Sequence, residues 1–362
     1  MVDLKKYTGN EINKAGKNLV NPTLFDRSDD FEKVLDILSY WRFSHKKPLA
    51  EALKLLEEVS LKVDRTAIFA KRLKRYISIK NKLLRFKDMK LKNMQDIGGC
   101  RAIVSNQKKL KQIVRALKNT NQFRNESGNF RYKDYVSYPK EDGYRSYHLI
   151  GRFDDAYGNS KSIEVQIRTR LQHDWATALE IVDLFTSQSL KSNQGREKWQ
   201  LFFKQVSEQF ALMEEIHIFS IDDKSKIKQY ENIFTTNNDA RSGCLSVKKL
   251  ASELNVIDRL QGFAGTIKIV EDKLQKNDGY VLIEINTAKT EVRTTIFNDD
   301  QNQEAESSYV EAEKKSIGKE LVIALVYASS VGEIKEAYPN YFADSTDFLR
   351  HLELITNANL TG

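Results

Sequence analysis

The chain has 362 residues but only two cysteines, Cys100 and Cys244, and five histidines. Two cysteines cannot form a disulfide framework or a four-thiolate zinc site. Four prolines and 16 glycines, with no low-complexity stretch, argue against a linker or a fibrous chain. No apolar run reaches membrane-spanning length, and the opening MVDLKKYTGNEINKAGKN has no signal-peptide core. A protein of a reducing cytoplasm is expected, with no membrane partner. Hydrophobic residues make up 40%, enough for ordinary cores, and the length favours two domains.

What is abundant is charge, and it is unevenly spread. Residues 1–220 carry 41 Lys+Arg against 27 Asp+Glu, whereas the remainder carries 17 against 23. The basic part suits a polyanion such as a nucleotide or nucleic acid. The acidic part either is merely well solvated or lies against the basic one. The polar stretch SIDDKSKIKQ marks a boundary near residue 220.

Periodicity places helices over 31–60, with a break at Pro48, over KKLKQIVRALKN, from LQHDWATALE onward, and over EKWQLFFKQVSEQFALMEEI. Strands are expected at Ala102-Ile103-Val104, in DYVSYPK, in GYRSYHLIGRF and in SIEVQIRT. Beyond the boundary, GYVLIEINTAKTEVRTTIF has the pattern of a hairpin and ELVIALVYAS that of a central strand. SVGEIKEAYPNYFADSTDFLRHLELI is expected to be a helical ending broken at Pro339. The fold class is α/β (α+β): a mixed sheet flanked by helices, followed by a smaller α+β unit.

Four polar islands occupy positions that packing does not explain. Arg72, Lys74, Ser78 and Lys82 could gather phosphates, and taken alone also fit a solvated basic helix face. Asp96 precedes the pair Gly98-Gly99, with Arg101 beyond it; it is a turn residue or a metal ligand. Lys133 and Lys140 flank a tyrosine-rich stretch leading to Tyr144, Ser146 and His148, which strand alternation puts on one face. Glu164, Gln166 and Arg168 share one face of SIEVQIRT, opposite Ile163, Val165 and Ile167. A carboxylate in such a strand must be paired or must hold a cation. A structural Glu–Arg pair would satisfy it. So would a Mg²⁺ shared with Asp96 and with phosphate oxygens.

Together these islands resemble the synthetase domain of the RelA/SpoT family, from about Trp41 to near His217. Its sheet is nucleotidyltransferase-like. The motif R-x-K…S…K is met by Arg72, Lys74, Ser78 and Lys82, and D-I-x-G-x-R by DIGGCR. The longest element is met by KDYVSYPKEDGYRSYH, and V-E-[VI]-Q-I-R-T by IEVQIRT. The resemblance implies an ATP-dependent pyrophosphokinase. Arg72 and Arg101 would sandwich adenine, with Lys74, Ser78 and Lys82 on the phosphates. Asp96 and Glu164 would bind Mg²⁺, and Glu164 would take the proton of the acceptor 3′-hydroxyl. Tyr144 would stack on the acceptor base, lined by Lys133, Lys140, His148 and Gln166. One departure is Asp142, where the family has Asn; it puts a GDP or GTP acceptor in doubt.

WRFSHKKPL and LQHDWATALE are similar to a branch holding toxic small alarmone synthetases and CapRel-type fused toxin–antitoxin proteins of phage defence. That likeness implies pyrophosphate placed on the 3′ end of tRNA. Lys46, Lys47 and the lysines of KKLKQIVRALK would then be acceptor-stem contacts, or ordinary surface lysines. Tyr338 and Tyr341, in YPNY, resemble an element that folds back over the ATP site, released by a phage protein at a metal-free regulatory domain over 221–362. Two other functions are an alarmone synthetase making (p)ppGpp or an adenine counterpart, and an inactive nucleic-acid-binding or sensing module. The family's hydrolase half needs metal-binding histidines upstream. Only His45 stands there, so hydrolysis is not expected.

Overall fold

The computed structural model describes residues 7–21, 28–125, 127–155, 158–186, 193–218, 222–266, 268–271, 279–286, 289, 291–316, 319, 321–328, 338–342 and 344–360. Three helices come first: α1 (Gly9–Leu19), α2 (Ser28–Phe43) and α3 (Lys46–Leu61). The expected break at Pro48 lies instead at Ser44–His45. Pro48 sits in the first turn of α3, where its missing N–H costs no intrahelical bond.

Next come β1 (Ile68–Leu73), α4 (Tyr76–Arg85), β2 (Gly98–Val104), α5 (Gln107–Lys118), β3 (Tyr132–Asp134), β4 (Tyr147–Asp154) and β5 (Ser160–Thr169). The basic stretch around Arg72 is thus a strand running into a helix, and only the first residues of the tyrosine-rich segment pair as a strand. α5 is capped by Asn106, whose side chain accepts from the Lys109 amide at 2.9 Å. It buries Leu110, Ile113, Val114 and Leu117 and turns its lysines outward. Two long helices follow, α6 (Arg170–Thr186) and α7 (Asn193–Glu215).

After residue 220 come three helices not read from the sequence: α8 (Lys224–Thr236), α9 (Asn238–Glu253) and α10 (Val256–Thr266). The chain continues through β6 (Lys268–Glu271), β7 (Gly279–Asn286), β8 (Glu291–Asn298), α11 (Asn302–Ser316), β9 (Leu321–Ala328) and α12 (Thr346–Asn357). β7 and β8 form the expected hairpin. The start of the expected C-terminal helix, residues 329–337, lies outside the described residues.

Among the described residues the strands form one mixed sheet in the order β3-β4-β5-β2-β1-β9-β7-β8-β6. β2 runs parallel to β5, and β6 to β8; the other neighbours are antiparallel. The seam between the basic and acidic parts is β1 against β9, where Arg72 pairs with Val326. The boundary expected near 220 falls between α7 and α8, and one apolar cluster crosses it. That cluster joins Trp175, Phe203 and Phe210 to Cys244, Val247, Phe348 and Ile355.

Strand alternation in β5 behaves as its pattern implies. Ile163, Val165 and Ile167 are fully buried in a core shared with α3 and α5. Glu164, Gln166 and Arg168 face the other side. Parallel pairing sets Gly99 opposite Glu164 and Arg101 opposite Gln166, which brings the DIGGCR and IEVQIRT segments together.

Candidate active site

Asp96 stands just before β2, at the C-terminal end of β1, where the Lys74 amide donates to the Ile97 carbonyl at 2.8 Å. Its Oδ2 receives Lys74 Nζ at 2.9 Å and Lys82 Nζ at 2.8 Å. Burial pushes the Asp96 carboxyl up, but Lys74 and Lys82 together hold it below its usual range. The two lysines expected on phosphates therefore rest on a carboxylate here. The second carboxylate oxygen, Oδ1, is buried with no hydrogen-bond partner. An unmatched anionic oxygen of that kind is costly unless a cation completes it. Asp96 thus fits a Mg²⁺ completed by phosphate oxygens and water, a ligand set this ion favours, whereas both oxygens of Glu164 are taken up by side-chain donors. Among the described residues no cluster of three or more acids, histidines and cysteines offers a ready-made cage.

Glu164 has both oxygens engaged. His148 Nδ1 lies 3.0 Å from Oε1, and Gln166 Nε2 donates to Oε2 at 2.7 Å. Burial opposes ionisation, yet these two partners and the charge of Lys74 bring its pKa down to about 2. Lys74 therefore acts on both carboxylates, binding Asp96 and favouring the charged form of Glu164.

His148 sits beside Lys133 across β3–β4 and beside Gln166 across β4–β5. Its Nε2 lies 2.8 Å from the Tyr144 hydroxyl. Lys140 Nζ lies over two rings, 4.5 Å from that of Tyr144 and 4.9 Å from that of Tyr135. Ser146 does not join them. It is buried, and its hydroxyl donates to the Ile167 carbonyl at 3.3 Å, because residues 143–146 precede the strand and break its alternation. The turn before Tyr144 leans on α7, where Ser207 Oγ donates to the Gly143 carbonyl at 2.5 Å. Gly143 has φ +92°, and a Cβ there would lie 3.0 Å from the Lys204 backbone. Asp142 accepts from the Tyr144 amide at 2.9 Å, a bond that an asparagine oxygen would accept equally.

Arg72 and Arg101 both meet tyrosines of the YPNY segment. Tyr341 Oη accepts from Arg72 Nη1 at 3.4 Å, and the Arg101 guanidinium lies 5.8 Å from the Tyr338 ring centroid. The two tyrosine rings stack at 5.9 Å with 17° between planes. Tyr338 also donates to the Lys71 carbonyl at 2.6 Å, and Asn340 donates to Glu180 at 2.8 Å. Burial lowers the Arg101 pKa to about 10, with Arg168 and Arg72 adding repulsion. Ser78 lies half-buried within α4, one turn before Lys82.

Several lysines considered for nucleic-acid contact are already paired. Lys46 binds Glu306 at 2.8 Å, Lys109 binds Asp64 at 3.0 Å, and Lys47 lies 3.7 Å from Glu51. The sequence also gave no warning of a buried clasp between α2 and α11. There Arg42 binds Glu313 at 2.7 Å and donates to Tyr309, and Glu313 accepts from the Tyr76 amide at the start of α4.

Comparison with known proteins bears on the same segments. Residues 71–181 match the family model described as the region found in RelA / SpoT proteins, a span that holds every site residue from Arg72 to Arg168. A curated relative, the GTP pyrophosphokinase YwaC of Bacillus subtilis (strain 168), is 36% identical over 115 residues, 29% of this chain and 52% of the relative. The chain thus spans about half the length of that relative. Among solved structures, small alarmone synthetase 1 from Bacillus subtilis bound to its product pppGpp is 28% identical. It covers 46% of this chain and 90% of its own, with a TM-score of 0.37. A GTP pyrophosphokinase family protein from Streptococcus pneumoniae is 23% identical, covering 53% and 95%, with a TM-score of 0.41. No helix among the described residues is long and apolar enough to cross a membrane.

Proposed function

We propose that the chain is an ATP-dependent pyrophosphokinase that moves the β,γ-diphosphate of ATP onto a ribose 3′-hydroxyl. The observation that carries this reading is that Asp96, with its unmatched buried oxygen and two lysines, stands at the head of β2 while Glu164 is held by two donors on the adjacent strand. Glu164 accepts the proton of the 3′-hydroxyl. The freed oxygen forms a bond to the β-phosphorus, the bond from that phosphorus to the α,β-bridging oxygen breaks, and AMP departs. Mg²⁺, when bound, supplies charge neutralisation on the phosphates. Lys74, Lys82 and Ser78 orient the triphosphate, while Arg72 and Arg101 hold adenine. Tyr144, Lys133, Lys140, His148 and Gln166 receive the acceptor. Positioning and electrostatics supply most of the acceleration in such transfers.

Two acceptors are consistent with this chemistry. A guanine nucleotide is favoured by the curated relative, and its product would be an alarmone. The tRNA 3′ end, in a toxin of phage defence, is favoured by the basic charge of residues 1–220, although the ion pairs of Lys46 and Lys109 remove two of its expected contacts. Residues 221–362 serve as the restraining unit in either case, with Tyr338 and Tyr341 against the adenine arginines and a phage protein as the candidate trigger.

Transfer of label from [β-³²P]ATP, offered GDP, GTP, ATP or deacylated tRNA, tests the proposal. One labelled acceptor is expected, and the signal should vanish with Glu164→Gln. Absence of any labelled product from both the full chain and a Tyr341→Ala variant would leave a nucleic-acid-binding or sensing module as the better account.

A further inference from the structure

Arg168 is 5% exposed on β5, and the motifs gave it no role. Its Nη2 donates to the Tyr144 hydroxyl at 2.7 Å and to Gln166 Oε1 at 3.0 Å. Tyr144 meets His148, His148 meets Glu164, and Gln166 meets Glu164 from the other side. The five side chains therefore close a ring, with the carboxylate at one pole and the guanidinium at the other.

The polarity of that ring is set at both poles, because a guanidinium can only donate and an ionised carboxylate can only accept. The Arg168 bond to Gln166 Oε1 fixes the amide so that the NH₂ group points at Glu164. Its bond into Tyr144 fills one lone pair of the hydroxyl and holds that oxygen 2.8 Å from His148 Nε2. The Glu164 carboxylate requires a proton on His148 Nδ1, which donates to its Oε1. Both arms deliver an N–H to the carboxylate, and both end on the one guanidinium.

Arg168 is also an expensive residue for the fold. Its Nε and Nη1 are buried without hydrogen-bond partners, although the guanidinium lies 5.0 Å from the Tyr144 ring centroid, and its charge repels that of Arg101. Unused buried donors and adjacent like charges destabilise, and an apolar side chain of similar size would serve packing better. Such costs persist where a site needs them.

We propose that Arg168 is a positioning residue for the transfer reaction: it closes the ring that orients Glu164, holding Gln166 on one arm and Tyr144 on the other. This rests on the pyrophosphokinase reading, with Glu164 as the proton acceptor.

The test compares Arg168→Met, Arg168→Ala and Arg168→Lys in the full chain, measuring kcat, KM for ATP, thermal midpoint and rescue by guanidinium ion. For Arg168→Met the expected result is a loss of about 10–100-fold in kcat, the range for removing an orienting partner. KM for ATP should stay within about threefold and the thermal midpoint should be equal or higher. Arg168→Ala should regain activity when guanidinium chloride is added at millimolar concentration, but not with equal sodium chloride. Arg168→Lys should fall between wild type and Arg168→Met, because one ammonium cannot hold both arms in the same geometry. A kcat unchanged in Arg168→Met overturns the inference. So does a loss of kcat that tracks a fall in thermal midpoint across all three variants, or an Arg168→Ala enzyme that guanidinium leaves unimproved. Inactivity of both the wild type and Tyr341→Ala would instead count against the pyrophosphokinase reading itself.

Discussion

The Tyr338 ring faces the Arg101 guanidinium at 5.8 Å while its hydroxyl is tied to the Lys71 carbonyl at 2.6 Å. Tyr338 is thus fixed at both ends to the two strands that frame the expected adenine position. Tyr341, stacked on it, reaches Arg72. A ring on Arg101 and a hydroxyl on Arg72 compete with a base that would use the same two guanidiniums.

Removing the pair should therefore raise ATP affinity. A closed form populated at about 90% would reduce apparent affinity about tenfold, so Tyr338→Ala with Tyr341→Ala should recover that factor. Calorimetric titration with a non-hydrolysable ATP analogue checks it. Equal affinity in wild type and double variant would remove the autoinhibitory role from these tyrosines.

Glu164→Gln keeps the size of the side chain and leaves an amide where the base stood. Loss of general-base assistance typically costs about 10²–10⁴ in rate. The expected outcome is a fall of that order in kcat with a folded protein by circular dichroism. Asp96→Asn should act differently, since it releases Lys74 and Lys82 and weakens the oxygen assigned to Mg²⁺. Its activity should recover in part at raised magnesium, whereas that of Glu164→Gln should not. A Glu164→Gln enzyme with wild-type kcat would assign the base elsewhere.

Much of the site was legible in the sequence because strand alternation is local. Glu164, Gln166 and Arg168 alternate with three fully buried apolar residues, and that pattern alone gives the open face. The parallel pairing of β2 with β5, which brings Arg101 opposite Gln166, could be reached only through ordered motifs. Ser146 was misplaced because the turn at Asp142–Gly143 delays the strand until Tyr147. Tertiary context also hid the α2–α11 clasp. Arg42 lies in a helix of ordinary amphipathic pattern, and its partner Glu313 is 271 positions away. No spacing rule links them. α8, α9 and α10 passed unread because their apolar residues serve a core shared with α6, α7 and α12 rather than a core of their own.

That clasp yields a stability prediction. Arg42 is 1% exposed and is matched by Glu313 and Tyr309. Removing one partner of a buried pair leaves an uncompensated charge and typically costs about 3–5 kcal/mol. Glu313→Gln should therefore shift the denaturation midpoint strongly, more than Lys46→Ala, which breaks the more exposed pair to Glu306. Replacing both members, as Arg42→Met with Glu313→Leu, should return much of the loss. A destabilisation below about 1 kcal/mol for Glu313→Gln would contradict the assignment of a dry, charged contact.

His45 supplies a pH-dependent term of predictable sign. It is 2% exposed at the α2–α3 junction, bonded through Nδ1 to the Trp41 carbonyl at 2.8 Å and edge-on to the Trp41 ring. Burial holds the imidazole neutral and pushes its pKa down to about 4. Lys161 works in the same direction, while the Trp41 carbonyl and Asp155 oppose it. In the unfolded chain it titrates near 6.5. Between those values the unfolded state binds the proton and the folded state does not, so stability falls as pH drops from about 6.5 to about 4. The contribution at stake is about 3 kcal/mol. Urea midpoints measured at pH 7 and pH 4.5 should differ less in His45→Asn than in the wild type, because the variant cannot take up that proton. Identical pH slopes for the two proteins would mean that the His45 ring is solvated, and that the helix junction beside Trp41 is open.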